Sequence, residues 1–367
     1  MKIISLLRRE WPLLLSITTA ALFLAFGKSW LADLSSPLWF AFIFGWLFVV
    51  ILMSAFLVVR HAESLALKLG EPLGTLVLTL AVTGMEVMII AAVMATGDGN
   101  PTVARDAMYA VVMIVLNGMV GLSLLLGGLR YHEQTYNLLG ANAFLAVIVP
   151  IVVLGLVLPN FTVSSPGPTL SSFHAVFLSV MSVGLYGVFL AIQNVRHRDY
   201  FIWPTPEEAA AEHGEAIQAS GYHAMLLLAY LLPVVILAKQ IAVPIDYAVS
   251  ALSAPLALGG FLVAVLVLSP ESLAATRAAL ANQLQRSVNI LLGSVLATIS
   301  LTIPAVLTIG LLTGNTIILG LESADMTLLL LTLAVSMLTF AIDRTNVLLG
   351  AVHLLLFLAY LLLIFDK

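Results

Sequence analysis

Long apolar segments are the feature of this sequence that most constrains its fold. A helix needs about 20 apolar residues to cross the hydrocarbon core of a bilayer, and eleven segments of the chain qualify. Backbone N–H and C=O groups in lipid must be paired within their own segment, which predicts helices rather than open strands. The segments lie near 12–32, 37–60, 72–97, 104–128, 138–158, 172–194, 222–242, 247–270, 284–312, 324–342 and 346–364. The predicted fold is an all-α polytopic membrane protein.

Composition and the N-terminus narrow the class of protein further. Only 9% of the 367 residues are charged and the net charge is −4, which argues for a membrane protein without a nucleic-acid partner. Cysteine is absent, so the chain has no disulfide, thiolate metal site or cysteine nucleophile. The N-terminus is basic and then apolar from Pro12 to Ala32, which is longer than the apolar core of a signal peptide. We therefore predict a retained first transmembrane helix and a multi-pass protein of the bacterial inner membrane.

The distribution of basic residues predicts the orientation of the chain, because Lys and Arg are enriched in cytoplasmic loops. With the N-terminus in the cytoplasm, eleven of the 15 basic residues fall on the cytoplasmic side. Those on the other side are Lys28, Arg105, Lys239 and Lys367. An odd number of helices then places the C-terminus in the periplasm. The longest polar segment, 195–221, is predicted to be an acidic cytoplasmic loop.

The two halves of the chain follow the same order of features, which predicts an internal repeat. Each half has a Pro-Leu pair at the start of an apolar run and then an acidic residue, Glu86 in the first and Glu271 in the second. Without the first helix, two sets of five helices remain, and an odd number makes equivalent helices cross in opposite directions. The predicted organisation is an extra N-terminal helix in 1–36, a five-helix repeat in 37–194, the acidic loop in 195–221 and a second, inverted five-helix repeat in 222–367.

Glu86 is predicted to lie at the centre of a cation and proton site. It is in the middle of an apolar segment with no basic residue near it in sequence. A carboxylate at that depth costs about 2.5–3.5 kcal/mol on insertion scales, and burial favours its neutral form. Such a group can carry a proton at one stage and lose it when a cation binds. The alternative is a structural glutamate that pairs with an arginine or a backbone group.

Glu271 follows an apolar run that is predicted to end at residue 270, so on its own it resembles an acidic residue at a helix end. Its matching position in the repeat indicates a second ligand. Gly84 and Pro270 are the expected helix-breaking residues of a midplane site in an inverted-repeat transporter. Two carboxylates suit one divalent cation or two protons, and hard cations such as Ca²⁺ prefer oxygen ligands. The seven histidines form no transition-metal motif.

Polar side chains on the helices after each glutamate are further candidates for cation and proton binding. They are Asn117 in the first repeat and Asn289, Ser294 and Thr298 in the second. For the two hydroxyls, the alternative is a hydrogen bond to the backbone one turn earlier or helix packing through small residues. Asn117 is costlier to bury, which favours a position facing the site.

The acidic loop supplies candidate regulatory residues. Its glutamates could attract cytoplasmic cations, and His213 or His223 nearby could sense pH because histidine titrates near neutrality. A solvated helix with inert histidines is the alternative. The loop candidates are Glu207, Glu208, Glu212, Glu215 and His213.

Four sequence blocks carry a resemblance to a known family. They are LGEPLG at 69–74, MATGD at 94–98, LSPE at 268–271 and GSVLATISLT at 293–302. On these blocks the chain resembles the calcium/cation antiporter superfamily, and within it the bacterial ChaA-type Ca²⁺/H⁺ antiporters. The resemblance extends from Val59 to Leu348, almost the entire chain.

The resemblance implies site residues and also shows departures from the family pattern. An essential glutamate in each signature repeat corresponds to Glu86 and Glu271, and hydroxyl or amide groups on the next helices correspond to Ser294 and Asn117. The superfamily has Gly-Asn shortly before each glutamate, whereas this chain has no asparagine there. The site is therefore poorer in polar ligands, which leaves Na⁺ and K⁺ open beside Ca²⁺.

These observations predict a secondary antiporter without a cofactor. It would export Ca²⁺, or Na⁺ or K⁺, from the cytoplasm in exchange for H⁺ by alternating access. A passive cation channel and a monovalent-cation/proton exchanger with little Ca²⁺ activity are the alternatives. A membrane enzyme is disfavoured because the sequence has no HExxH or GxSxG motif. The expected partners are inorganic cations, protons and the lipid bilayer, and the oligomeric state is left open.

Overall fold

The computed structural model of the protein consists almost entirely of long apolar helices. It describes residues 10–70, 73–94, 101–201, 219–251, 255, 257–314 and 316–366. Within these ranges ten helical spans are long and apolar enough to cross a membrane, and Ser323–Thr339 is a shorter apolar helix. The prediction of an all-α polytopic membrane protein is confirmed.

Short π-helical segments, 3₁₀ turns and one small strand pair interrupt the succession of α-helices. The α-helices are α1 (Trp11–Trp30), α2 (Pro37–Leu69), α3 (Leu73–Met94), α4 (Val103–Met113), α5 (Val120–Tyr131), α6 (Leu138–Val152), α7 (Ser172–Ala191), α8 (Ser220–Ala251), α9 (Ala257–Leu280), α10 (Leu284–Thr313), α11 (Ser323–Thr339) and α12 (Val347–Ile364). The π-helical segments are Ile114–Met119, Val153–Val157 and Ile192–Arg196, and the 3₁₀ turns are Leu158–Asn160 and Arg198–Tyr200. The strands β1 (Gln134–Thr135) and β2 (Arg344–Thr345) pair antiparallel.

Helices α8 and α9 end later than the apolar pattern predicts, at Ala251 and Leu280 instead of residues 242 and 270. Pro244 and Pro270 lie inside them. Proline is tolerated there because neighbouring groups in a membrane bundle compensate for the missing amide. The apolar run ends near Pro270, but the helix continues for ten more residues.

This continuation corrects two expectations about the glutamates. The apolar pattern predicts that Glu271 follows the end of its helix, but it lies within α9. The same pattern predicts helix breaks at Gly84 and Pro270, yet α3 and α9 are each one continuous α-helix. Both glutamates are thus carried by uninterrupted membrane helices.

Asparagine and serine side chains determine where three helices begin. Asn137 accepts hydrogen bonds from the amides of the first turn of α6, and Asn346 does the same for α12. Ser171 accepts one from the amide of His174 at the start of α7. These caps satisfy amides that have no partner within the helix.

The chain folds as two compact units, and each takes helices from both halves of the sequence. The first unit contains 1–100 and 217–269, and the second contains 101–216 and 270–367. In the first unit α2 packs against α3 and α8, and α1 packs against α2 and α8. In the second unit α10 packs against α6 and α7, and α12 packs against α5 and α11. The units therefore do not coincide with the two predicted repeats.

Helices α5 and α12 approach each other closely because glycines lie at their contact. A Cβ atom on Gly350 would overlap the backbone of Leu125, and one on Gly121 would lie 2.9 Å from the backbone nitrogen of Leu354. Approaches this close to backbone atoms exclude any side chain. The two helices thus pack backbone against backbone, as small residues allow in membrane bundles.

Candidate functional site

Glu86 lies in α3 of the first unit and is almost completely buried. Its side chain is 2% exposed, and Thr83, three residues earlier, is 3% exposed. The neighbours along the helix, Met85, Ile89 and Ile90, are also buried and apolar. A carboxylate in a membrane helix is costly, and such residues mark ion or proton pathways far more often than they serve packing. This is the burial that the sequence predicts.

Glu271 lies in α9 of the second unit, is half-buried, and has a hydroxyl donor. The Oγ atom of Ser294 in α10 donates a hydrogen bond to Glu271 Oε2. Pro270 has no backbone N–H and cannot donate to the carbonyl of Leu266 one turn earlier. A carboxylate and a hydroxyl thus meet between α9 and α10, and both are oxygen groups that hard cations prefer.

The middle of α10 is lined with buried hydroxyls. Ser294 is 9% exposed, Thr298 is 2% exposed, and Ser300 and Thr302 are fully buried. The helix carries these groups because a hydroxyl in lipid can be satisfied by the helix itself or by a neighbouring helix. Ser294 contacts a carboxylate directly, that of Glu271.

Asn289 is one turn before Ser294 and has other partners. Its Nδ2 atom donates to the carbonyl of Phe201 at 2.6 Å, and its Oδ1 atom accepts from Gln285 Nε2 at 2.9 Å. The Nδ2 end of the amide holds the segment that follows α7 against α10, and the Oδ1 end is bonded within α10. These contacts give Asn289 a structural role, and its role as a cation ligand stays a prediction.

Asn117 lies in the π-helical segment Ile114–Met119 and is fully buried. Its Nδ2 atom donates to Thr332 Oγ1 at 2.8 Å, and its Oδ1 atom is 3.3 Å from His353 Nδ1. His353 Nε2 is in turn 2.9 Å from Thr339 Oγ1. Asn117 therefore links its own helix to α11 and α12. π-helical segments occur often at functional sites, which keeps Asn117 a candidate ligand beside this linking role.

Two groups of polar residues escape prediction from the sequence. One is the Asn117 network with Thr332 and His353. The other surrounds Glu10, which accepts hydrogen bonds from residues 50, 212 and 220 positions later in the chain. An acidic residue just before a membrane helix is visible in the sequence, but its distant partners are not.

The regulatory candidates of the acidic loop lie outside the described residues. They are Glu207, Glu208, Glu212, Glu215 and His213. Elsewhere, no group of three or more His, Cys, Asp or Glu side chains that could hold a metal occurs in the described part of the chain. A cation bound near Glu271 would take its remaining ligands from hydroxyls, amides, carbonyls and water.

Comparison with known proteins gives consistent matches over most of the chain. The family model for "Sodium/calcium exchanger protein" matches residues 39–195 and 223–365. The chain is 43% identical over 319 residues to the sodium-potassium/proton antiporter ChaA of Escherichia coli (strain K12), covering 86% of each chain. It is 45% identical over 326 residues to the putative ionic transporter y4hA of Sinorhizobium fredii (strain NBRC 101917 / NGR234), covering 86% of this chain and 88% of that one.

A solved structure shares the fold at low sequence identity. The crystal structure of the selenium-substituted Ca²⁺/H⁺ antiporter YfkE has a TM-score of 0.71 with this chain at 16% identity. The match covers 96% of this chain and 99% of that one. At this identity the likeness concerns the arrangement of the helices.

Proposed function

The chain belongs to the sodium/calcium exchanger protein family, and from this premise we propose that Glu86 and Glu271 are the proton-coupled centre of its cation/proton antiport. It is a multi-pass membrane transporter rather than an enzyme, and its substrates are inorganic cations and protons. The observation that supports the proposed site is the hydrogen bond from Ser294 to Glu271, which brings a hydroxyl and a carboxylate of two membrane helices together.

The exchange chemistry follows from competition between a proton and a cation for the same carboxylates. With Ca²⁺ bound, Glu86 and Glu271 are both ionised and the ion balances their two negative charges. With one Na⁺ or K⁺ bound, one of the two glutamates keeps its proton and the other is ionised. Without a bound cation, an ionised carboxylate in a membrane helix is costly, so each glutamate takes up a proton. The site is therefore nearly neutral, either as two acids or as a cation complex, whenever its opening changes from one side of the membrane to the other. One divalent cation against two protons would be electroneutral.

Ser294 can serve both states of Glu271. Its hydroxyl donates to the carboxylate when Glu271 is ionised, and it can accept from the acid O–H when Glu271 is protonated. The same hydroxyl oxygen can contact a bound cation. Thr298, one turn later on α10, is in a position to extend this ligand set, and Asn117 is its proposed counterpart in the first repeat.

The two-repeat organisation and the membrane orientation remain part of the proposal. Two separate matches of one family model, 39–195 and 223–365, support repeats near 37–194 and 222–367. The basic residues support an N-terminus in the cytoplasm and a C-terminus in the periplasm. With that orientation the transporter exports a cytoplasmic cation, and protons enter down their gradient.

The proposal also concerns which cations the transporter accepts. The Escherichia coli relative is named for sodium, potassium and protons, and YfkE for calcium. We propose that this chain accepts Na⁺ or K⁺ as well as Ca²⁺, because the residues just before each glutamate lack the asparagine of the superfamily pattern. Fewer fixed ligands favour ions that keep part of their hydration shell.

Proton flux in everted membrane vesicles tests the function. Vesicles are acidified inside by respiration, and a pH-sensitive dye reports proton release when CaCl₂, NaCl or KCl is added in turn. An antiporter releases protons after each accepted cation, and vesicles that contain the E86Q/E271Q double variant do not. Cation uptake without an imposed proton gradient and without proton movement would instead identify a channel.

A further inference from the structure

A second group of titratable residues lies in the first unit, apart from Glu86. It is formed where the start of α1, the last turns of α2 and the start of α8 meet. We call it the Glu10 cluster; its members are Glu10, Arg60, His61, Tyr222, His223 and Tyr230. Glu10, His61, His223 and Tyr230 are each no more than 4% exposed. The consecutive helices α1 and α2 and the distant helix α8 therefore bury polar groups against one another.

Glu10 is a fixed negative charge at the centre of the cluster. Its Oε1 atom accepts from Arg60 and from the Tyr222 hydroxyl, and its Oε2 atom accepts from the Tyr230 hydroxyl, at 3.0–3.1 Å. Burial alone would raise the pKa of Glu10, but hydrogen bonds from His61 and both tyrosines and the charge of Arg60 outweigh it. Together they lower the pKa to about 2. Glu10 thus stays ionised at every physiological pH.

His61 and His223 form a direct contact that limits how many protons they can hold. Their Nδ1 atoms are 3.1 Å apart, so one ring must donate its N–H and the other must accept with a lone pair. On its other side His61 Nε2 is 3.5 Å from Glu10 Oε2 and 3.3 Å from the Arg60 guanidinium. One extra proton fits the pair, since His61 can then donate both to Glu10 and to His223. A second extra proton leaves two N–H groups facing each other.

The charged groups beside His61 are one of each sign, since Glu10 Oε2 and the Arg60 guanidinium both approach its Nε2 atom. Among the described residues, the titratable and charged groups of the surrounding helices are Glu10 and Lys28 at α1, Arg60, Glu63 and Lys68 in α2, Glu86 in α3, and Tyr222, Tyr230, Lys239, Asp246 and Tyr247 in α8. The part of α9 in this unit, 257–269, carries none. The close approach of two protonated Nδ1 atoms is therefore what disfavours the second proton.

We propose that His61 and His223 form a second proton-binding site, separate from Glu86 and Glu271, whose full protonation opens the contact between α2 and α8 and slows exchange. The link to exchange rests on the proposed antiport function and on the proposed orientation, which places the cluster towards the cytoplasm. The contact is intact at pH values above the second protonation and is lost as the pH falls through it. A cell with an acidic cytoplasm would thereby stop admitting further protons through this transporter.

Histidine-ring NMR of the purified protein tests the site without using transport. Ring-labelled wild-type protein and the H61Q and H223Q variants are titrated from pH 8 to about pH 5, a range that covers ordinary histidine titration. Two coupled steps are expected for the pair in the wild-type protein. In each variant the remaining histidine should titrate in one step, which differs from the second step of the pair by about one pH unit or more. The coupling should persist in the transport-inactive E86Q/E271Q protein. Independent titration of both rings in the wild-type protein would overturn the proposal.

The pH profile of proton flux tests the regulatory role. H223Q and H61Q should keep exchange active about one pH unit further into the acidic range than the wild-type protein, with a maximal rate that changes less than about twofold. H197Q, which alters an exposed histidine in the second unit, is the matched control and should leave the profile unchanged. Profiles of H223Q and H61Q that superimpose on the wild-type profile would refute the role. Absence of exchange in the wild-type protein, with its coupled titration intact, would instead count against the antiport function.

Discussion

The two candidate glutamates lie in unlike surroundings, although the predicted repeat makes them equivalent. Glu86 is 2% exposed and its neighbours along α3 are apolar. Glu271 is half-buried and accepts a hydrogen bond from Ser294 on the following helix. In the predicted repeat the residue that corresponds to Ser294 is Met113, which has no hydroxyl. The comparison supports the proposal that Glu271 is the better preformed cation ligand, and that Glu86 is the more deeply buried carboxylate of the pair.

The largest expected effect comes from removing either charge. E86Q and E271Q should each reduce cation-dependent proton flux in everted vesicles by at least about 100-fold, because neither amide can exchange a proton for a cation. Both proteins should insert and fold normally. E133Q, at an exposed glutamate that pairs with Arg344, is the control and should retain full flux. Full activity in either site variant would break the comparison, since that glutamate would then lie outside the site.

A smaller effect is expected from the hydroxyl that distinguishes the two halves. S294A removes a hydrogen bond to an ionised group, which is worth about 1.5–3 kcal/mol, so the apparent KM for the cation should rise about tenfold or more. The maximal rate should fall much less. S300A removes a fully buried hydroxyl from the same helix and should leave the KM nearly unchanged. Equal KM values for S294A and wild type would mean that Ser294 does not contribute to cation binding.

The smallest expected effect concerns Asn117, the proposed first-repeat counterpart of Thr298. T332V removes the hydroxyl acceptor of the buried Asn117 amide and leaves it the weaker Met113 sulfur. It should lower the free energy of unfolding by about 1–3 kcal/mol, without a change in KM. N117A should cause a similar loss of stability and also raise the KM several-fold, if Asn117 binds the cation as well as linking helices. T327V, on the same helix as Thr332 but bonded to its own backbone, is the control. Thermal unfolding in detergent and vesicle flux measure the two quantities separately.

Local patterns in the sequence are sufficient to predict the helices and the burial of Glu86. Apolar runs of membrane length determine where the helices lie, and a carboxylate inside such a run is buried wherever the run packs. The family resemblance adds Ser294 beside Glu271, and the structure contains that hydrogen bond. The apolar pattern fails at Pro270, because it treats proline as a boundary even where the bundle tolerates it.

Contacts between distant segments cannot be predicted from these patterns. The sequence shows Glu10 beside a helix start, but the four donors around it come from α2 and α8. Likewise, Asn117 and Asn289 each have a partner outside their own helical segment in the second unit. Hydropathy specifies which helices form and not which of them become neighbours, so polar links between helices require the three-dimensional arrangement.

The close packing of α5 on α12 has a consequence for how the protein is made. The glycine contacts and the Asn117 hydrogen bonds join residues 215 or more positions apart. At synthesis rates of about 5–20 residues per second, α5 waits roughly 10–40 s for its partner to leave the ribosome. The packing of the second unit therefore stays incomplete until α12 has been synthesised. A premature stop codon before α12 would leave an inserted but unfinished bundle, a natural substrate for membrane quality control.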